Sequence, residues 1–226
     1  SQISSMVEER GDASYCKDNK APEITQRLGK IYLQSATPVV KEEYSISLTK
    51  DGMRPIGEGR FGTVYSKKDS REVIKVFNLE AVRTLYDQGF YDPYLRYLNE
   101  ASRYPNNPLF PKVTSIKVYI PPTTAGKPYA VVRMERLNKF TTRVPAVAKQ
   151  TYEAILKSMG VGCGNEAVSA TCKAIALGTK TKDLVQAVDV LQAVHDADLP
   201  YFGDLHKSNV MMRGTQLVVT DPFMYE

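Results

Sequence analysis

Three oxygen-bearing side chains lie close together in the last part of the sequence. Asp204 is followed five residues later by Asn209, and Asp221 stands directly after the apolar segment Val218–Thr220. Carboxylate and amide oxygens are ligands that magnesium accepts in proteins, so Asn209 and Asp221 are candidate metal ligands. Asp204 is the candidate base, which would orient an attacking hydroxyl and accept its proton. The set predicts metal-assisted chemistry on a hydroxyl group.

A glycine-rich run lies between two segments with strand-like alternation. Its residues include Gly57, Glu58, Gly59, Arg60, Phe61, Gly62 and Val64. Glycines let backbone amides approach a triphosphate closely, and a β-branched valine beside them can cover an adenine ring. Because a strand rather than a helix is predicted after the last glycine, a phosphate-covering hairpin is favoured over a Rossmann turn. A hairpin without a ligand would contain the same glycines.

Lys75 lies inside an apolar strand, thirteen residues after Gly62. Because side chains alternate along a strand, Lys75 points away from its neighbours Ile74 and Val76. It is either a solvated strand lysine or, if it faces the glycine run, a point charge for the α- and β-phosphates of a nucleotide. Glycine run and lysine together favour a nucleotide site.

These signals come in the order of the protein-kinase superfamily, which the sequence resembles through its glycine loop, strand lysine, catalytic loop and final aspartate. The resemblance implies a two-lobed fold that binds ATP and Mg²⁺ and transfers a phosphoryl group. It also implies that the apolar strand ending near residue 135 leads into the hinge between the lobes. Met134 would then be the gatekeeper, and the Glu135 carbonyl and Leu137 amide would bind the adenine edge.

Two residues of the predicted site have more than one possible role. Glu100, on a predicted helix over residues 92–103, is the candidate carboxylate partner of Lys75, and it would equally suit a solvated helix face. His206 stands where protein kinases carry a lysine that contacts the γ-phosphate, so it either donates to phosphate or braces Asp204. A loop of this form, with glycine before the aspartate and a histidine two residues after it, is also similar to that of aminoglycoside kinases.

The loop at residues 202–211, the sequence Thr220-Asp221-Pro222 and the short segment after it resemble the early serine/threonine protein kinases of T-seven-like bacteriophages. The resemblance covers residues 52–226 and is strongest in the glycine run, Lys75 and the two terminal motifs. It implies phosphorylation of host proteins, and of the kinase itself, in the cytoplasm of a bacterial host. Because the sequence stops soon after Asp221, we expect a second lobe that is either minimal or truncated.

The order of the predicted elements divides the chain into an N-terminal extension over residues 1–50, a first lobe over 51–137 and a second lobe over 138–226. Strands are predicted at 53–56, 62–66, 72–77, 115–120 and 129–134. Helices are predicted at 145–159, 166–177 and 183–197. The fold class is therefore α+β, with an antiparallel sheet and one helix in the first lobe and a compact helical second lobe. Apolar residues near helical spacing also predict a short helix over 22–34.

Composition narrows the choice of partners. The net charge of +5 is mild and spread along the chain, so it gives little support to nucleic acid as a direct ligand. Three cysteines without a CxxC pair do not predict a disulfide framework, and no apolar run reaches the length of a membrane span. Together with the resemblance to the phage kinases, which implies host proteins as substrates, these features lead us to expect a cytoplasmic enzyme that uses nucleotide and is not bound to a membrane. A small-molecule kinase and a non-catalytic kinase-fold binder of a host protein stay open as alternatives.

Overall fold

The computed structural model describes residues 25–28, 31–35, 40–59, 62–79, 92–119, 126–160, 165–196, 201–203 and 205–225. The chain divides into two compact units. The first comprises residues up to Asp92 together with Lys112–Arg136, and the second comprises Pro93–Pro111 together with the residues from Leu137 onward. Each unit contains both helix and strand, which confirms the predicted α+β class.

Within the described part of the first unit, seven strands form one sheet in the order β1-β2-β6-β7-β5-β4-β3. All neighbouring strands in it pair antiparallel except β2 and β6, which are parallel, so the predicted antiparallel sheet is correct for five of the six pairings. The strands are β1 (Thr25–Leu28), β2 (Ile31–Ser35), β3 (Arg54–Glu58), β4 (Gly62–Ser66), β5 (Glu72–Asn78), β6 (Val113–Tyr119) and β7 (Tyr129–Glu135).

The predicted helix over residues 22–34 is wrong. The chain there forms β1 and β2, which pair as a hairpin, and β2 then pairs with β6. Gly29 interrupts the segment, and a short stretch with a central glycine has little helical stability of its own. Pairing with an existing sheet edge therefore overrides the apolar spacing. Strands from the sequence segment before residue 51 thus belong to the same sheet as the glycine run.

Helix α1 (Lys41–Lys50) packs on one face of this sheet. Its buried Leu48 joins a core cluster of residues from β4, β5 and β7 that includes Ile74, Val76 and Val131. Tyrosines on β6 and β7 extend the cluster: the rings of Tyr119 and Tyr129 stack with their centroids 4.7 Å apart, and Tyr44 of α1 packs against both rings. One face of the sheet is therefore covered from within the first unit.

The tyrosine cluster predicts a loss of stability at alkaline pH. Burial and the neighbouring Tyr44 raise the pKa of Tyr119 to about 12, and burial also raises the pKa of Tyr129. The folded protein therefore keeps these phenols protonated above about pH 10, where tyrosines of the unfolded chain ionise. The stabilisation is complete below that pH and is lost as pH rises through about 12.

We expect the free energy of unfolding, measured by urea titration, to fall steadily from about pH 9.5 to pH 11.5. Tyr119→Phe removes one titrating group, so its stability should fall less steeply over the same range. An equally steep fall in the variant would contradict a contribution from Tyr119.

The second unit contains four described helices and two small sheets. The helices are α2 (Pro93–Ala101), α3 (Ala146–Met159), α4 (Asn165–Ala176) and α5 (Thr181–His195). Strands β8 (Asn138–Lys139), β10 (Val210–Arg213) and β11 (Gln216–Val219) form one sheet, and β9 (Tyr201–Gly203) pairs with β12 (Phe223–Tyr225). A short 3₁₀ turn over Lys207–Asn209 precedes β10.

The helices of the second unit form where apolar periodicity predicts them, because each buries one stripe against its neighbours. On α5 the stripe includes Leu184, Ala187, Leu191 and Val194. Helix α2 groups with the second unit, packing against α5 and β12, whereas the sequence had placed it in the first lobe. None of the helices in the described ranges combines the length and the apolar character needed to cross a membrane.

Candidate active site

Strand β5 holds Lys75 in the middle of the first unit's sheet. Its neighbours along the strand, Ile74 and Val76, are 2% and 0% exposed and lie on the face covered by α1. Lys75 is half-buried on the opposite face, as the sequence predicts from strand alternation. Its Nζ lies 5.4 Å from the centre of the Phe77 ring, two residues along the same face.

The register of the sheet gathers the predicted nucleotide-binding residues of the first unit onto this face. Lys75 pairs with Val64 on β4 and with Val132 on β7, and residues directly opposite each other in antiparallel strands share a face. Met134, two residues after Val132, lies on the same face and is buried. The predicted phosphate lysine, adenine cover and gatekeeper are therefore side by side.

The glycine run forms the connection between β3 and β4, as predicted. The Gly59 amide donates to the Gly62 carbonyl at 2.9 Å, which closes the hairpin. Gly57 pairs with Val64, and Glu58 pairs with Thr63. Arg60 and Phe61, two of the predicted binding residues, lie outside the described residues.

The glycines of the run have different structural roles. A Cβ added to Gly62 would lie within 3.0 Å of the Val76 carbonyl oxygen and of Phe77 on the neighbouring strand, so only glycine fits there. A Cβ at Gly57 or Gly59 would meet no atom closer than 3.9 Å. Gly62 is thus needed to pack β4 on β5, whereas the other two glycines leave the backbone open to a close ligand.

Replacing Gly62 with alanine should therefore destabilise the protein by at least about 2 kcal/mol, because a backbone strand must move to admit the methyl group. Gly57→Ala and Gly59→Ala are the matched controls and should unfold at urea concentrations close to that of the wild type. Equal stability of all three variants would show that β4 and β5 are not packed as closely as the structure has them.

The predicted hinge residues lie at the end of β7. Glu135 is anchored to the segment before β6: its Oε1 accepts from the Lys112 amide at 2.8 Å, and its own amide donates to the Lys112 carbonyl at 3.0 Å. Leu137 is the first residue after β7 that belongs to the second unit. Adenine binding by Met134, Glu135 and Leu137 stays a prediction.

In the second unit, the β10–β11 hairpin brings the two predicted metal ligands together. Val210 of β10 pairs with Val219 of β11. Asn209, directly before β10, therefore lies at the same end of the hairpin as Thr220 and Asp221, which follow β11. The Asn209 carbonyl accepts from the Thr220 amide at 3.0 Å, from Thr220 Oγ1 at 2.9 Å and from the Asp221 amide at 3.2 Å. These bonds fix the backbones of Asn209 and Asp221 beside each other.

Tyr97 of α2 secures the hairpin from inside the second unit. Its hydroxyl donates to the Val219 carbonyl at 2.7 Å, and the side chain is 0% exposed. Burial, the neighbouring Tyr94 and the charge of Asp221 raise the pKa of Tyr97 well above its ordinary value. Tyr97 therefore stays a neutral donor that holds the strand leading to Asp221.

The turn before Asn209 is held by the ring of His206. The Ser208 amide donates to Nδ1 of His206 at 3.3 Å, and the Ser208 hydroxyl lies 2.5 Å from the same nitrogen. Asn209 Nδ2 lies 3.2 Å from Nε2. The Leu205 carbonyl accepts from the Tyr152 hydroxyl at 3.3 Å, which ties the turn to α3. Asp204, the predicted base, lies outside the described residues.

The donor set suits a magnesium ion. Asn209 and Asp221 supply an amide and a carboxylate oxygen, which are hard ligands, and both side chains are half-buried. In the described part of the chain, no three His, Cys, Asp or Glu side chains cluster as a metal site. Magnesium that bridges a nucleotide needs only one or two protein ligands, because phosphates and water complete its shell. The residues present therefore fit the ion.

Glu100, the predicted partner of Lys75, lies on α2 in the second unit. Its Oε2 is 3.1 Å from Arg103 Nη1, and its side chain is 13% exposed. The ion pair with Arg103 is local to the end of α2, and pairing with Lys75 stays a prediction.

The sequence did not predict the roles of Ser208, Thr220 and Tyr97, which contact His206, Asn209 and Val219 respectively. Ser208 and Thr220 each stand next to a predicted ligand, and their hydroxyls are the available signal. Tyr97 gave no signal beyond the apolar stripe of α2, since its partner is more than one hundred residues away in the sequence.

A cavity of about 400 Å³ lies elsewhere in the second unit. Its lining includes Thr151, Thr179, Lys180, Asp183 and Thr215, from α3, the start of α5 and the turn between β10 and β11. That turn is at the opposite end of the hairpin from Asn209 and Asp221. The cavity is therefore separate from the predicted metal ligands.

Comparison with known proteins adds a distant structural likeness to these observations. No family model and no curated protein matches the sequence. Among solved structures, amicoumacin kinase hAmiN in complex with AMP-PNP, Ca²⁺ and Ami is similar with a TM-score of 0.36 and 12% identity, over 82% of this chain and 66% of that chain. The function proposed below therefore depends on the residues of this chain.

Proposed function

We propose that the chain is an ATP- and Mg²⁺-dependent phosphotransferase whose acceptors are serine or threonine hydroxyls of proteins. The observation that carries the proposal is the β10–β11 hairpin, which holds Asn209 and Asp221 beside each other directly after the loop that contains Asp204. The shared sheet face of Lys75 and Val64, next to the glycine run, supports a nucleotide as the phosphoryl donor.

In the proposed reaction the acceptor oxygen forms a bond to the γ-phosphorus, the bond to the β,γ-bridging oxygen breaks, and ADP leaves. Asp204 orients the acceptor hydroxyl and takes its proton. Lys75 and the glycine run hold the phosphates, and Asn209 and Asp221 hold Mg²⁺. The ion supplies charge neutralisation on the β- and γ-phosphates when bound. Most of the acceleration then comes from positioning and electrostatics.

The resemblance of residues 52–226 to early kinases of T-seven-like bacteriophages supports bacterial host proteins, and the chain itself, as acceptors in the host cytoplasm. The second candidate is a small-molecule kinase, because the Gly203-Asp204-Leu205-His206 form of the loop is shared with aminoglycoside kinases. The two candidates differ in the acceptor and not in the phosphoryl donor or the metal.

The acceptor can be identified by following the label from γ-labelled ATP, with Mg²⁺, in two parallel incubations. One contains bacterial lysate protein and the other contains a panel of aminoglycosides. The proposal expects acid-precipitable label on protein. Label that stays soluble and moves with an aminoglycoside would replace the protein acceptor by a small molecule. Absence of label in both incubations would favour a kinase-fold protein that acts by binding.

A further inference from the structure

We propose that the ring of Phe77 holds the Lys75 ammonium beside the glycine run, which makes Phe77 a positioning residue of the nucleotide site. The inference rests on the proposed function, since that function assigns Lys75 to the phosphates of ATP. It gives the positioning of Lys75 to an aromatic side chain of the same strand, whereas the kinase resemblance assigns it to the carboxylate of Glu100.

The Lys75 ammonium lies within cation–π range of the Phe77 ring. Nζ is 5.4 Å from the ring centre, and the negative face of an aromatic ring attracts a cation within about 6 Å. Phe77 is 4% exposed and Lys75 is half-buried, so little water competes for the contact. Cation–π contacts are stronger when they are desolvated. The ring can therefore hold the flexible stem of Lys75 in one direction.

That direction leads to the glycine run. Phe77 pairs with Gly62, the last glycine of the run. The two residues lie close together, because a Cβ on Gly62 would be only 2.5 Å from the Phe77 Cβ. If Lys75 leaned the other way along β5 it would reach Val73, which pairs with Met134. The ring therefore selects the predicted phosphate end of this sheet face over the predicted adenine end.

Contact with a ring consumes none of the hydrogen-bond donors of Lys75. An ammonium has three donors, and the phenyl ring has no lone-pair acceptor for them. A carboxylate partner would accept from at least one donor and would offset the positive charge. Phe77 therefore orients the charge of Lys75 toward the phosphates without reducing it.

The test measures kcat/KM for ATP, with Mg²⁺ and whichever acceptor takes the label in the incubations above. Phe77→Leu keeps an apolar side chain but removes the ring, and it should lower kcat/KM about 10-fold. Phe77→Tyr restores the aromatic face and should stay within about 3-fold of the wild type. Tyr129→Leu is the control, because it removes a buried ring from the opposite face of the same sheet. It should lower stability and leave kcat/KM unchanged.

A second comparison uses the Lys75→Met background, in which the ammonium is absent. If Phe77 acts through the ammonium, Phe77→Leu should change kcat/KM by less than about 2-fold in this background. A further 10-fold loss there would show that the ring acts through packing, and it would overturn the inference.

Protein folding is checked through the thermal midpoint of each variant. If Phe77→Leu does not fold, 3,4,5-trifluorophenylalanine introduced at position 77 alone provides the same test. Fluorine weakens the negative face of the ring and changes its shape little, so kcat/KM should fall about 3-fold. Wild-type kcat/KM with the fluorinated ring would contradict an electrostatic contact.

The inference and the proposed function fail in different ways. Wild-type kcat/KM in Phe77→Leu, or equal losses in Phe77→Leu and Phe77→Tyr, would overturn the inference alone, since phosphoryl transfer would still be observed. Absence of transfer by the wild type to every acceptor would remove the proposed function and the inference together.

Discussion

Asp221→Asn is expected to lower the rate of phosphoryl transfer by about a thousandfold and to leave the protein folded. The change replaces a charged metal ligand with a neutral amide of the same shape. Fold should be retained because the Asp221 backbone amide still donates to Asn209, and Thr220 and Tyr97 hold the strand before it. The rate is measured with saturating ATP and Mg²⁺, and folding by the thermal midpoint.

The matched control for this variant is Asp189→Asn. Asp189 is an exposed carboxylate on α5 of the same unit, so the chemical change and the loss of charge are identical. Asp189→Asn should transfer phosphate at the wild-type rate. A similar loss in both variants would mean that net charge, and not a metal ligand, explains the effect of Asp221.

Lys75→Met is the second large effect that we expect. Methionine keeps the unbranched stem on the sheet face with Val64 and Val132 but removes the ammonium, so the strand should still pack. Loss of the charge that orients the phosphates should lower kcat/KM for ATP about a hundredfold. Steady-state kinetics over a range of ATP concentrations measures this effect.

Lys117→Met provides a close comparison. Lys117 is a half-buried lysine on β6 of the same sheet, but it pairs with Val131, which belongs to the face covered by α1. Its loss should change stability slightly and leave kcat/KM for ATP unchanged. Wild-type kinetics in Lys75→Met, or equal losses in the two variants, would contradict the assignment of Lys75 to the nucleotide.

The sequence predicted β3, β4 and β5 well, because alternating apolar residues and turn residues define short antiparallel strands locally. It failed over residues 22–34, where strand formation depends on an edge provided by β6, far along the chain. The same limit applies to α2. Its residues predict a helix, but its place in the second unit depends on packing against α5, which is distant in the sequence.

For the candidate site, residue types and their order were enough to propose the oxygen ligands and the lysine, and their roles stay predictions. What could not be predicted is how they are held. The three bonds to the Asn209 carbonyl depend on the register of β10 with β11, and the contacts of His206 depend on the 3₁₀ turn after it. Register and turn geometry are properties of the folded chain, so a linear pattern does not contain them.

The central claim, transfer of a phosphoryl group from ATP with Asp204 as the base, is tested most directly by comparing the wild type with Asp204→Ala. Each is incubated with Mg²⁺, γ-labelled ATP and bacterial lysate, and binding of AMP-PNP is measured in parallel. We predict label on protein with the wild type and none with Asp204→Ala, although both bind the nucleotide. Equal labelling by the two proteins, or no labelling by a wild type that binds AMP-PNP, would contradict the claim.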